Sequence, residues 1–255
     1  MTAPATALVI AGGQGTRMAS SYADLAKPLV RVHGVPLIAH VFRSLRRHGV
    51  NEVYLALRHR GAQLETFVRE HLTTGFAAVH FLHEDEPLGT IGSRALLPDA
   101  AGAVLVQSGA LLSGIDLTEL GRVHHARGAD LTIATHWERP RLELGEVLTD
   151  DDERVTGYLE KPVKRYRISS GTYIVGPAAR RLLGAPRWLP FPELVQMTLA
   201  AGLAVRAHDH GAPWIDVNTP EQATAAESML ADDPIGFGMH PEELRDATLR
   251  WGIAP

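Results

Sequence analysis

Short apolar runs and stretches of helical periodicity take turns along the first half of this chain. Residues 7–10, β-branched at Val9 and Ile10 and stopped by Gly12-Gly13, predict a buried strand delivered into a turn. Beyond it, Leu37, Ile38, Val41, Phe42 and Leu45 share one helical face between Pro36, which suits a first turn, and Gly49. The same reading gives strands at 52–57, 79–82, 103–107 and 131–135, and helices at 63–72, 91–97 and 117–127. Strands separated by helices predict a mostly parallel sheet covered on both faces.

The pattern changes after Trp137. Residues 146–149 and 155–159 flank an acidic turn at 150–153, a β-hairpin signal, so the sheet is expected to be mixed. Helices follow at 177–183, 190–201 and 220–230, with short strands at 170–175 and 204–207, and no internal repeat is visible. The expected organisation is an α/β, Rossmann-like domain over residues 1–230, with a small β-rich insertion at 139–169 and a helical tail at 231–255. A short tail helix at 241–251 is expected to pack on the domain's flank, with a latch or an oligomer contact as alternatives.

Charge and composition narrow the function. With 25 basic against 29 acidic side chains in 255 residues, the chain lacks the positive surplus that phosphate-backbone binding needs, so nucleic acid is not an expected partner. The absence of cysteine excludes disulfide frameworks, thiolate zinc sites and cysteine nucleophiles. No apolar stretch approaches the roughly 18 residues of a membrane span. Residues 1–7 carry no basic region ahead of an apolar one. A cytoplasmic protein without a membrane partner is expected. Only Lys27, Lys161 and Lys164 of the basic residues are lysines, and two of them sit in Lys-Pro pairs. In an arginine-dominated chain their persistence suggests places where a compact ammonium serves better than a planar fork, against the alternative of chance.

Directly after the first strand comes Ala11-Gly12-Gly13-Gln14-Gly15-Thr16-Arg17. Three glycines let the backbone bend and turn its N–H groups on an anion, and Arg17 adds a bidentate phosphate donor. The dinucleotide fingerprint is excluded because Met18 stands where its third glycine would be. The P-loop is excluded because no Lys-Ser or Lys-Thr follows.

Together with Lys27-Pro28, Glu84-Asp85-Glu86-Pro87-Leu88-Gly89-Thr90, Glu160-Lys161-Pro162, Gly171-Thr172-Tyr173 and Trp214-Ile215-Asp216-Val217-Asn218-Thr219-Pro220, this loop resembles the sugar-1-phosphate nucleotidyltransferases, over about residues 7–230. The resemblance implies a nucleoside triphosphate and a sugar 1-phosphate as partners, Mg²⁺ as cofactor, and transfer of a nucleoside monophosphate with loss of pyrophosphate. Arg17 and Lys27 would act at the reacting phosphates. Ala11, Gly12, Gly13, Gly15, Thr16, Glu84, Gly89 and Thr90 would bind the nucleotide. Gly145, Glu160, Lys161 and Gly171 would bind the sugar phosphate under the 139–169 insertion, and Asp216 would hold the metal. A carboxylate such as Glu84 at the base edge can accept from both N1–H and N2–H₂ of guanine, which tilts the expectation to GTP; a solvated loop carboxylate is the alternative.

The family carries a second metal-binding aspartate after the 103–107 strand, where this chain reads Ser108-Gly109-Ala110. Three readings follow: an enzyme that works with one metal carboxylate, a silent homologue that binds nucleotide or sugar phosphate as a regulatory protein, or a chain altered to trap substrates. Asp116 is read as a helix N-cap rather than a substitute ligand. His208 and His210 are read as surface histidines on an edge strand, His124-His125 as unable to ligate together, and Trp214 as packing beside the site. A homo-oligomer is left open.

Overall fold

The computed structural model describes residues 3–13, 15–18, 22, 24–98 and 102–245. In chain order its strands and helices are β1 (Thr6–Ile10), β2 (Arg31–Val32), β3 (Val35–Pro36), α1 (Leu37–Arg47), β4 (Glu52–Leu57), α2 (Gly61–His71), β5 (Ala78–His83), β6 (Val104–Ser108) and β7 (Leu111–Ser113). Then follow α3 (Leu117–Ala126), β8 (Leu131–Glu138), β9 (Glu146–Thr149), β10 (Val155–Leu159), β11 (Tyr166–Val175), α4 (Pro177–Arg180), α5 (Phe191–Ala200), β12 (Val205–Asp209), β13 (Trp214–Asp216) and α6 (Pro220–Asp232).

Seven strands form one sheet in the order β12-β8-β11-β6-β1-β4-β5. Strand β1 pairs in parallel with both β4 and β6, whereas β11 runs antiparallel to β6 and β8. The mixed α/β sheet is therefore the one the pattern predicts. The central strands read as continuous apolar runs because both faces are covered. Ala7 and Val9 of β1 join Val53, Leu55 and Leu57 of β4 against α1, α2 and α3, while Leu8 joins Tyr54 and Ala56 against α4 and α5.

Some boundaries differ from the pattern. The helix expected at 91–97 is a 3₁₀ turn, Gly92–Leu96, tied to its surroundings by Ile91 N–H donating to Leu189 O at 3.1 Å. Strands β2, β3, β7 and β13 are too short to show a period, and pairing alone makes them strands. The hairpin β9–β10 forms as expected. Asp116 caps α3 by accepting the Glu119 N–H at 2.9 Å. A third apolar cluster joins α6, β2 and Ala110 to Phe237 and Met239, so residues just beyond α6 are docked. Arg43 of α1 donates to Gly238 O at 2.9 Å and pairs with Glu243. Residues 241–245 are helical, and the rest of the expected tail helix lies outside the described residues.

Candidate active site

Because β1, β4, β5 and β6 run in parallel, the segments that follow them meet at one edge: the Ala11–Gly13 loop, Arg58, Glu84 and Ser108–Ala110. This is where open α/β sheets hold ligands. Ala11 N–H is spent on Ala56 O at 3.0 Å, which carries the sheet one residue further. The Gly12 and Gly13 N–H groups have no acceptor among the described residues. Gly15 takes φ +61° over the Lys27 stem. Gln14 and the Thr16 side chain lie outside the described residues.

Lys27 opens a 3₁₀ turn with Pro28 in its first positions. The segment before it is clipped to α2, since Gln63 Oε1 accepts the Ala26 N–H at 2.8 Å and Arg60 pairs with Asp24 at 3.5 Å. The Lys27 ammonium donates to Asn218 Oδ1 at 2.6 Å and lies 3.9 Å from Asp216 Oδ1. Burial lowers its pKa, Asp216 opposes that shift, and the charge of Arg17 adds to it. Arg17, Lys27 and Asp216 are thus one electrostatic cluster, although they come from distant parts of the chain.

Asp216 reaches this edge because β13 pairs with β7, placing it opposite Leu111, and Val217 N–H donates to Ala110 O at 3.1 Å. Its Oδ1 is buried and accepts no hydrogen bond, which suits a cation's ligand. Ala110, only 3% exposed, packs with Met18, Val30 and Val217 and offers no donor atom. Among the described residues no three acidic or histidine side chains could enclose a metal. The donor set fits a divalent cation held by one carboxylate oxygen with substrate phosphates completing its shell.

At the other end of the loop lies a cavity of about 400 Å³ lined by Gly12, Arg58, Glu84, Gly89, Thr90 and Trp188, among others. Glu84 is pinned there: its Oε1 accepts from the Ser93 hydroxyl at 2.6 Å and its Oε2 from Leu88 N–H at 3.4 Å. Gly89 holds φ +72°, and a Cβ on it would stand 2.6 Å from Leu189 O, so the close approach that requires glycine is made by the protein's own backbone. Gly89→Ala is expected to cost about 1–3 kcal/mol of stability, read from urea midpoints. An unchanged midpoint would show that the loop relaxes freely.

On the sugar side the groups are spread out. Lys161, at φ +45°, faces Glu143 at 3.8 Å. Glu160 is exposed, Lys164 pairs with Glu146, and no contact joins Lys161 to Lys27 among the described residues. Gly145 sits against the Tyr158 ring, where a Cβ would fall 1.9 Å from the hydroxyl oxygen. Gly171, at φ +70°, lies where the β11–β8 register shifts.

His210 is not a plain surface histidine. Ala212 N–H donates to its Nδ1 at 3.1 Å, so the neutral ring carries its proton on Nε2 and donates to Ser170 Oγ at 2.7 Å. The Ser170 hydroxyl then donates to His136 Nδ1 at 2.8 Å, leaving His136 Nε2–H toward Glu138 at 3.4 Å. Desolvation, followed by the neighbouring His136, lowers the pKa of His210 to about 4. Trp214 Nε1–H donates to Ser170 O at 2.6 Å, and its ring lies 4.6 Å from that of His136. Trp214 packs as expected, and the relay fixes it two residues before Asp216.

Residues 6–231 match the nucleotidyl transferase family. The chain belongs to that family. The mannose-1-phosphate guanylyltransferase catalytic subunit beta of Xenopus tropicalis is 31% identical over 226 residues, covering 84% of this chain and 61% of that protein. The mannose-1-phosphate guanylyltransferase of Mycobacterium tuberculosis is 29% identical over 251 residues, covering 93% and 69%. Against several animal relatives this nucleotidyl transferase chain spans 59% to 61% of their length. Its fold is that of HddC from Yersinia pseudotuberculosis, solved in complex with GMP-PN, at TM-score 0.66 and 24% identity over 90% of this chain and all of that one.

Sequence reading gave no role to Arg58, Ser93, Trp188 or Asn218, which the fold places at this candidate site. Arg58 carried a usable signal, since the residue after a parallel strand lies at the carboxyl edge. Ser93 carried none, because only the fold brings it to Glu84; Asn218 stood in the Trp214–Pro220 motif without a role, and the fold sets it on Lys27.

Proposed function

We propose that this chain transfers GMP from GTP to a hexose 1-phosphate of the mannose 1-phosphate class. A phosphate oxygen of the sugar 1-phosphate attacks the α-phosphorus of the triphosphate in line. The α–β bridging P–O bond breaks, and pyrophosphate leaves with the electron pair. Such chemistry needs positioning and charge neutralisation rather than an acid–base pair. The observation that carries the reading is the Arg17, Lys27 and Asp216 cluster beside the open amides of Gly12 and Gly13. The guanylyltransferase relatives support the choice of base and sugar.

In this reading the Gly12 and Gly13 amides and Arg17 hold the triphosphate. Lys27, held in place by Asn218, faces the reacting phosphates, and Lys161 and Glu160 take the sugar phosphate. Asp216 would hold Mg²⁺, which supplies charge neutralisation at the phosphates when bound. The buried Ala110 favours one alternative, a silent binding protein on the same scaffold. Pyrophosphate release, measured over several triphosphates and sugar phosphates with Mg²⁺, separates the two. Turnover by the chain as it stands is expected, with guanosine triphosphate and a mannose-type acceptor leading. Turnover confined to Ala110→Asp would sink the enzymatic reading and leave the binding one.

A further inference from the structure

The cavity at the end of the glycine loop is lined by a cation, Arg58, that no carboxylate among the described residues pairs. Arg58 follows β4 directly, and its Cβ and Glu84 Oε2 both crowd Gly12, at 3.2 Å and 3.4 Å from where a glycine Cβ would stand. Yet Glu84 is already committed to Ser93 and Leu88, and it forms no ion pair with Arg58. Among the described residues the Arg58 side chain has no hydrogen-bond or ion-pair partner, and its Nε is buried without an acceptor. A buried N–H left without an acceptor is costly, so the arrangement suits a ligand that brings its own acceptors.

The triphosphate end has its cations elsewhere. Arg17 is the arginine whose charge reaches Lys27, whereas Arg58 shares its cavity with Glu84, Thr90 and Trp188. Trp188 is 60% exposed at this cavity, and an exposed indole beside an acceptor-seeking guanidinium is a stacking face for a planar heterocycle. A guanidinium fork fits two adjacent acceptors. Guanine presents such a pair, O6 and N7, on one edge, whereas adenine places an amino donor next to N7, and the pyrimidines have no N7.

We infer that Arg58 determines base specificity by donating to the O6 and N7 edge of guanine stacked on Trp188, while Glu84 serves chiefly as a brace for the 84–93 segment. The inference rests on the reading that this site binds a nucleoside triphosphate. It moves the guanine preference from Glu84, each of whose oxygens already accepts a hydrogen bond, to Arg58, whose side-chain donors have no acceptor among the described residues.

Calorimetric titration of the full chain in Mg²⁺ with GTP, 7-deaza-GTP and ATP tests it, alongside Arg58→Met and Trp188→Ala. The parent is expected to bind 7-deaza-GTP, which lacks only the N7 acceptor, about tenfold more weakly than GTP, within the range of a lost bidentate base contact. In Arg58→Met both ligands should bind more weakly than GTP does to the parent, and equally to each other. Trp188→Ala should weaken both by a similar factor and keep the tenfold gap. Equal affinity of the parent for both ligands overturns the inference, and so does a gap that survives in Arg58→Met. A parent that binds ATP better than GTP overturns it while leaving nucleotidyl transfer standing. A parent that binds no triphosphate overturns the proposed function as well. Melting temperatures of both variants identify any loss that comes from misfolding.

Discussion

Lys27→Met is expected to slow pyrophosphate release by roughly 10²–10³-fold, the usual loss when one preorganised donor to developing charge is removed. The ammonium is well suited to that role. It is largely desolvated, held by Asn218 at 2.6 Å and set 3.9 Å from Asp216, so it needs no rearrangement to meet a phosphate. Its stem runs under Gly15, where a Cβ would already touch Lys27 Cβ at 3.3 Å. A guanidinium is wider and planar, so Lys27→Arg is expected to restore less than a tenth of the lost rate despite keeping the charge. This follows the lysine's persistence in an arginine-dominated chain. Steady-state kcat and KM with both substrates varied, together with melting temperatures, check the prediction. Either variant keeping more than half of the parent kcat would remove Lys27 from the reacting phosphates.

Folding stability is expected to fall steeply as the pH drops from about 6.5 to about 4. Three histidines drive this. His40 is 7% exposed on α1, within 3.4 Å of Val32 O, and desolvation lowers its pKa to about 4. His124, 4% exposed and bonded to Thr132 Oγ1 at 2.8 Å, is lowered to about 4 by desolvation and by His125. His210, in the relay with Ser170, is lowered similarly. In the unfolded chain each takes up a proton near pH 6.5, whereas the folded chain resists until about 4. Within that window the unfolded state therefore holds more protons, and stability drops as the pH is lowered. The contribution is fully present above 6.5. For His40, the most enclosed by these measures, the loss reaches on the order of 3 kcal/mol by the bottom of the window. Urea midpoints at closely spaced pH values measure it, and His40→Gln should flatten the slope by about one proton. Midpoints that stay level between pH 7 and 5 would show that these rings protonate in place without penalty.

The parts of the fold that were legible along the chain are those with a local cause. Strand β4 was readable to the residue because five of its six side chains are buried and the strand ends in a charged turn. The β9–β10 hairpin was readable because its acidic turn sits between two short strands. Strand β13, with three residues, was invisible as a strand. It exists because β7 pairs with it, and that pairing delivers Asp216. The glycine loop and Lys27 were legible as phosphate chemistry, but the neighbours of Lys27 were not: Asn218 is 191 positions away. Glu84 was read as a base contact because a carboxylate in a loop looks available. What the sequence did not show is that the 3₁₀ turn brings the Ser93 hydroxyl onto its Oε1. His210 was read as a surface histidine on an edge strand, and the structure bonds it to Ser170 from the far side of β8.

By itself the amino-acid order determined most of the longer strands and helices, that a glycine-rich loop follows the first strand with an arginine and a lysine behind it, and that no carboxylate stands at position 110. These follow from backbone periodicity and side-chain chemistry, which act over a few residues. Tertiary structure alone decided which groups are hydrogen-bonded and which, among the described residues, are left open: Glu84 bonded to Ser93, the Arg58 side chain without a partner, Asp216 Oδ1 without a hydrogen bond beside Lys27, and His210 held neutral. Those states depend on sheet register and on contacts between residues far apart in the chain, and no local pattern encodes the distance between two such side chains.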